Sequence, residues 1–197
     1  MAKNKGSSEP ARPVLLVVLY PGVADWEVSF PLFCLHPRIE YRYTSIGPRR
    51  IRTVMGFEVK TELAIDTACV DDFDGIYIPG GIDPKEGRFP RSLAENPDLI
   101  SKVKQFYQKG KVVAAICGAP LVLGAAGLLK GRRFTSDITE DTRGWFDDAV
   151  RSDKAVVVDG NIITASVRGI IQFSTELARL LGQETCAHEI EEFFDYS

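Results

Sequence analysis

Short unbroken apolar runs alternate along this chain with stretches whose apolar residues recur every three or four positions. The first run, PVLLVVLY at 13–20, has no polar interruption, the pattern of a strand covered on both faces. ADWEVSFPLFCL at 24–35 follows, with Trp26, Phe30 and Phe33 at helical spacing, and predicts an amphipathic helix. IEYRYTSI at 39–46 alternates and predicts a second strand, and RRIRTVMGFEVKTE at 49–62 predicts a hairpin turning near Met55-Gly56. DGIYIPGG at 74–81 is a further buried strand that stops at a proline and two glycines. SLAENPDLISKVKQFYQKG at 92–110 predicts a helix ended by Gly110. A strand over 111–116 then gives way, at Cys117, to a helical pattern. AVVVDGNIITAS at 155–166 predicts a hairpin turning at Asp159-Gly160-Asn161, and GIIQFSTELARLLG at 169–182 an amphipathic helix. A short acidic helix closes the chain. This alternation predicts an α/β fold, a mostly parallel sheet with helices on both faces.

Composition narrows the function classes. The chain has 197 residues, 45% of them apolar and 26% charged, enough for one domain with a full core. The polar stretch MAKNKGSSEPAR at 1–12 lacks the apolar core of a signal peptide and reads as a flexible arm, with the domain spanning 13–197. The net charge of −3 and the absence of a Lys/Arg block argue against nucleic acid or an anionic membrane as partner. No apolar run is long enough to cross a bilayer. The four cysteines (Cys34, Cys69, Cys117 and Cys186) form neither a CxxC pair nor a metal-ligand spacing. A reduced, cytoplasmic setting without metal or cofactor is therefore expected.

In sheets of this kind chemistry collects at the carboxyl ends of the strands. That places Gly22 to Glu27, Pro79-Gly80-Gly81 and Cys117-Gly118 at one edge. A cysteine at a helix start meets free N–H groups and the helix dipole, which favour the thiolate and lower its pKa. Its plain alternative is a packed core cysteine. Gly81 and Gly118 can present amides to a developing negative charge, or serve only a loop that needs permissive backbone. Asp25 and Glu27 point to different sides of one helix. Asp25 suits the helix N-terminus, whereas Glu27, if buried beside the cysteine, acquires a raised pKa and can donate to a thiolate.

YPGVADWEVSFPL, IYIPGG, AAICGAPLVLGAAGLLKGRRFTS and VVVDGNIITA, in this order and spacing, resemble the ThiJ/PfpI superfamily, a branch of the class I glutamine amidotransferase-like proteins. The resemblance covers about Pro13 to Gly182. It implies a flavodoxin-like three-layer sandwich, commonly dimeric, with a reactive cysteine on a nucleophile elbow. By motif it makes Cys117 the nucleophile, Glu27 its acidic partner, and Gly81 and Gly118 the backbone donors. One departure stands out. Where many members carry a histidine after the cysteine or about twenty residues on, this chain has Gly118 and Asp137. Its two histidines are His36 and His188. Histidine is the usual base at neutral pH, so amide hydrolysis is disfavoured. Asp137 either faces the cysteine or caps the ITEDTRGW stretch, the second being preferred.

Three expectations follow. The favoured one is a small-molecule enzyme in which Cys117 attacks an electrophilic carbon, as in glyoxalase-like hydration of a 2-oxoaldehyde or hydration of an isocyanide. The others are an oxidative-stress sensor or chaperone-like protein using Cys117 oxidation, and an amidotransferase-like or protease-like scaffold that has lost its activity.

Overall fold

A computed structural model of the protein describes residues 11–139 and 143–195. The unbroken apolar run forms β1 (Val14–Leu19), and α1 (Asp25–Leu35) leads from it to β2 (Glu40–Ser45). The hairpin is β3 (Arg50–Arg52) and β4 (Glu58–Lys60), with Gly56 at φ 92° in its turn. A two-residue strand, β5 (Leu63–Ala64), precedes β6 (Gly75–Ile78). Then come α2 (Pro97–Gln108), β7 (Val112–Ile116), α3 (Pro120–Ala125), β8 (Arg133–Phe134) and β9 (Val150–Arg151). The second hairpin is β10 (Val156–Asp159) with β11 (Ile162–Ala165), followed by α4 (Ile170–Leu180) and α5 (Glu184–Phe194).

The main sheet has the order β10-β11-β7-β6-β1-β2-β5 and is parallel except for β10 against β11. α1, α4 and α5 pack together on one face, and α2 with α3 on the other, the expected three-layer sandwich. The central strands explain themselves: Leu15, Leu16, Val17, Val18, Val113, Ala114, Ala115 and Ile116 are fully buried, so no face is left for polar alternation. At roughly 25 cal/mol per Å² of apolar surface, this core dominates the folding free energy.

Three local expectations are revised. α2 starts at Pro97 rather than Ser92, because Asn96 caps it by accepting from the Leu99 amide while residues 91–93 make a single 3₁₀ turn. The aromatic stripe of α1 faces outward: Trp26 and Phe33 are exposed, while Glu27, Pro31, Leu32 and Leu35 form the buried face. Apolar residues lie on both sides of this helix, so spacing alone does not tell which side is core. Finally, Arg12 belongs to the fold, pairing with Glu40 at 2.7 Å and donating to the Pro37 carbonyl. The arm expected over 1–12 otherwise falls on residues 1–10, outside those described, as do residues 140–142. No helix among the described residues is long and apolar enough to cross a membrane.

Candidate active site

Cys117 stands immediately after β7, at the carboxyl edge of the sheet, with a backbone φ of 63°. A side chain rarely occupies that left-handed region, and a strained nucleophile turn is one place where it does. The strain is held from both sides. The Cys117 amide donates to the Ala165 carbonyl at the end of β11 (2.8 Å), and the Cys117 carbonyl accepts from the Asp137 amide and the Ser136 hydroxyl, each at 2.9 Å. Gly118 lets the chain pass under Phe89, where a Cβ would meet the ring at 2.5 Å.

Glu27 reaches the same spot from α1. It is only 2% exposed, its Oε2 accepts from the Gly80 amide at 2.7 Å, and its carboxyl is hydrogen-bonded to the Cys117 thiol. Its backbone carbonyl accepts from the buried Tyr77 hydroxyl, and the Tyr20 hydroxyl donates to the Pro79 carbonyl at 2.8 Å. These two bonds fix α1 and the Pro79-Gly80-Gly81 turn to the strands beneath them.

Burial, partly offset by the Gly80 amide, raises the Glu27 carboxyl from 4.5 to about 7. Burial also pushes the Cys117 thiol up, and the charges of Glu27 and Asp137 push it further; the Gly118 amide at the sulfur opposes them. This corrects the expectation of a thiol depressed by a helix N-terminus. The helix after the cysteine starts only at Pro120 and is six residues long, and both charges acting on the sulfur are negative. Each group disfavours a negative charge on the other, so at neutral pH the thiol keeps its proton while the Glu27 carboxyl is poised between its two forms.

The remaining residues sort by position. Gly80, which sequence reasoning passed over in favour of its neighbour, makes the close approach: a Cβ there would lie 2.5 Å from Glu27 Oε2 and 3.0 Å from Cys117 Sγ. Only its place inside the PGG turn hinted at this. Gly81 pairs across the turn with Val23, and a Cβ on it would meet the Gly22 carbonyl at 2.3 Å. Among the described residues its own amide has no protein partner. Asp25 points away from Cys117 and accepts from the Met55 amide at 2.9 Å, tying the β3–β4 hairpin to α1. Asp137 does not cap the stretch after it. Its carboxylate accepts from the Ser166 hydroxyl (2.5 Å) and the Val167 amide (2.8 Å). His36 ends α1, about 15 Å along the helix from its start. His188 is exposed on α5 beside Glu191. Neither histidine of this chain serves Cys117. Phe89 borders the site, whereas Trp145 lines a separate cleft of about 170 Å³ with Gly124, Lys130 and Asp148. No group of three metal-ligating side chains occurs among the described residues.

An elbow cysteine with a buried carboxyl can add to an electrophilic carbon while the carboxyl carries the proton. Comparison with known proteins agrees with this architecture. An uncharacterized protein of Methanocaldococcus jannaschii is 40% identical over 135 residues, 66% of this chain, and the match spans 59% of that protein's length. A deglycase of Thermococcus kodakarensis is 31% identical over 171 residues, covering 85% of this chain and 98% of the deglycase. Among solved structures, a DJ-1 superfamily protein of Salmonella typhimurium superposes with a TM-score of 0.76 at 29% identity, over 94% of this chain and 99% of that one. The DJ-1/PfpI family model matches residues 12–180, from the first strand to the end of α4. By that match, and by the elbow and the turn that carry its motifs, this chain belongs to the DJ-1/PfpI family.

Proposed function

We propose that this protein is a cysteine-dependent enzyme that hydrates 2-oxoaldehydes to 2-hydroxy acids. The observation that carries the reading is the hydrogen-bonded Cys117–Glu27 pair at a strained elbow. As the C–S bond forms at the aldehyde carbon, Glu27 takes the thiol proton, and the carbonyl π electrons move to oxygen. The oxygen receives the proton back from Glu27, giving a hemithioacetal, and the amides of Gly81 and Gly118 support the developing charge. Glu27 then removes the proton on carbon, an enediol forms, and reprotonation at the neighbouring carbon leaves a thioester. Water releases the hydroxy acid and restores the thiol. The balance is R–CO–CHO plus water to R–CHOH–COOH, with no external oxidant.

A carboxyl raised to about 7 suits both directions of proton transfer at neutral pH. No amine has to leave, so the reaction does not require the histidine that this site lacks. The deglycase among the relatives supports the same class, since an adduct of a 2-oxoaldehyde offers the same carbon to the thiol. The test is conversion of methylglyoxal to lactate by wild type and Cys117→Ala. Turnover is expected to fall roughly a hundredfold or more, and a loss of less than about tenfold overturns the reading.

We also propose that the working unit is a homodimer joined through the outer face of α1 and the β3–β4 hairpin. The support is that both elements expose large apolar side chains: Trp26 and Phe33 on the helix, and Val54, Met55 and Phe57 on the hairpin.

A further inference from the structure

A nucleophilic cysteine is usually surrounded by cations or a histidine. The charges that act on Cys117 are instead those of Glu27 and Asp137. Glu27 is buried, is turned to the sulfur and the Gly80 amide rather than to solvent, and carries only part of a charge near neutral pH. Asp137 differs in each respect. It is exposed, and its backbone amide is bonded directly to the Cys117 carbonyl at 2.9 Å. Its carboxylate is fixed at the end of β11 by Ser166 Oγ and the Val167 amide. Ser166 follows Ala165, whose carbonyl takes the Cys117 amide. The carboxylate is therefore anchored one residue from each of two groups that hold the elbow, with lone pairs left over for solvent.

Two cations on the neighbouring segments are engaged with backbone carbonyls. Arg151 donates to the Ser136 and Ile138 carbonyls (3.0 and 2.5 Å) and lies over the Phe134 and Phe146 rings. In a trans peptide the carbonyl of residue 136 points opposite to the amide of residue 137. Arg151 thus sits on the far edge of the segment from Cys117. Arg168, next to Val167, is spent on the Asp153 carbonyl at 2.5 Å.

We propose that Asp137 is the charge-selecting residue of the Cys117 site, admitting neutral and cationic electrophiles and rejecting those that carry a carboxylate or other anion near the reactive carbon. Within the proposed reaction, on which this rests for its substrates, the preferred compounds are neutral 2-oxoaldehydes and their adducts on cationic amines, and anionic 2-oxo acids are excluded. Asp137 acts through its field and holds no reacting atom.

The filter can be tested without turnover. Methanethiosulfonates transfer an alkylthio group to a thiolate: the S–S bond forms, the sulfur–sulfonyl bond breaks, and methanesulfinate leaves. Rates at Cys117, resolved by peptide mass spectrometry from Cys34, Cys69 and Cys186, are compared for the cationic 2-aminoethyl, neutral methyl and anionic 2-sulfonatoethyl reagents. Wild type is expected to react in the order cationic, neutral, anionic. In Asp137→Asn, whose side-chain oxygen can still accept from the Val167 amide while its NH2 donates to the Ser166 hydroxyl oxygen, the cationic-to-anionic ratio is expected to drop at least about fivefold, the field of one nearby charge being removed. An unchanged ratio in Asp137→Asn overturns the proposal. Should that variant not fold, Asp137→Ser carries the same comparison with the same two outcomes. A protein that shows the filter but converts no 2-oxoaldehyde keeps this inference and loses the proposed reaction; turnover without charge selection does the reverse.

Discussion

At Gly80 the backbone passes so close to the elbow that a Cβ would stand 2.6 Å from Cys117 Cβ and 2.5 Å from Glu27 Oε2. Neither neighbour can yield freely, since one is on a strained turn and the other is buried under α1. Gly80→Ala is therefore expected to cost about 1–3 kcal/mol, as overpacking does, and to push thiol and carboxyl apart. A variant that melts with wild type and labels at Cys117 at the same rate would show that this contact is slack. Glu27 gives a second expectation, with a definite sign. Its carboxyl is raised to about 7 in the folded protein from 4.5, so the native state holds the proton more tightly than the unfolded chain. That contribution is fully present below about pH 4.5 and is lost as pH rises through about 7, a difference worth roughly 3 kcal/mol. Glu27→Gln stays neutral throughout. Its melting temperature relative to wild type should climb between pH 5 and pH 8, and a difference that is flat over that range would mean that Glu27 is not carrying a raised pKa.

At the scale of elements, the strands were legible because burial on both faces writes itself as an unbroken apolar run, as in β1 and β7. The β10–β11 hairpin was legible for a different reason, its turn glycine, at φ 64°, lying between two β-branched runs. The orientation of α1 was not. Trp26, Phe30 and Phe33 have the spacing of a core stripe, yet the helix turns Glu27, Pro31, Leu32 and Leu35 inward. The inward face carries the hydrogen bond from the Gly80 amide to Glu27, a contact 53 residues apart that no periodicity encodes. The same limit applies to the site. Cys117 is recognisable at the strand end, but the left-handed backbone that exposes it is not. The glycine that would ordinarily announce such a conformation is the next residue. Nor is the field around the sulfur readable, because Asp137 meets Ser166 only through the tertiary approach of the segment after β8 to the end of β11. The short α3 stops just before Gly127, which turns left-handed at φ 72°.

For the whole molecule, the outward stripe of α1 is the informative surprise. Phe33, Met55 and Phe57 are each about two-thirds exposed (67%, 66% and 63%), with Trp26 and Ile82 at 41%, a concentration that monomeric surfaces rarely carry without a partner. The surface is also held together. Asp25 bonds the Met55 amide, Gly22 donates to the Arg52 carbonyl at 2.8 Å, and Val54 donates to the Val23 carbonyl at 3.0 Å. Hairpin and helix thus present one face rather than two. Two shallow clefts open on it, of about 310 Å³ beside Val28, Tyr43 and Phe57, and about 340 Å³ beside Val54, Ile82 and Pro84. A two-fold partner would bring protruding rings and receiving clefts of the same patch together. Sedimentation velocity at micromolar concentration is expected to show a dimer for wild type and a monomer for Trp26→Asp combined with Phe57→Asp. Because α1 carries Glu27 on its other side, loosening that helix should also slow Cys117 chemistry severalfold. A wild-type monomer would remove the dimer, and a dissociated variant with undiminished turnover would show that each subunit's site is complete in itself.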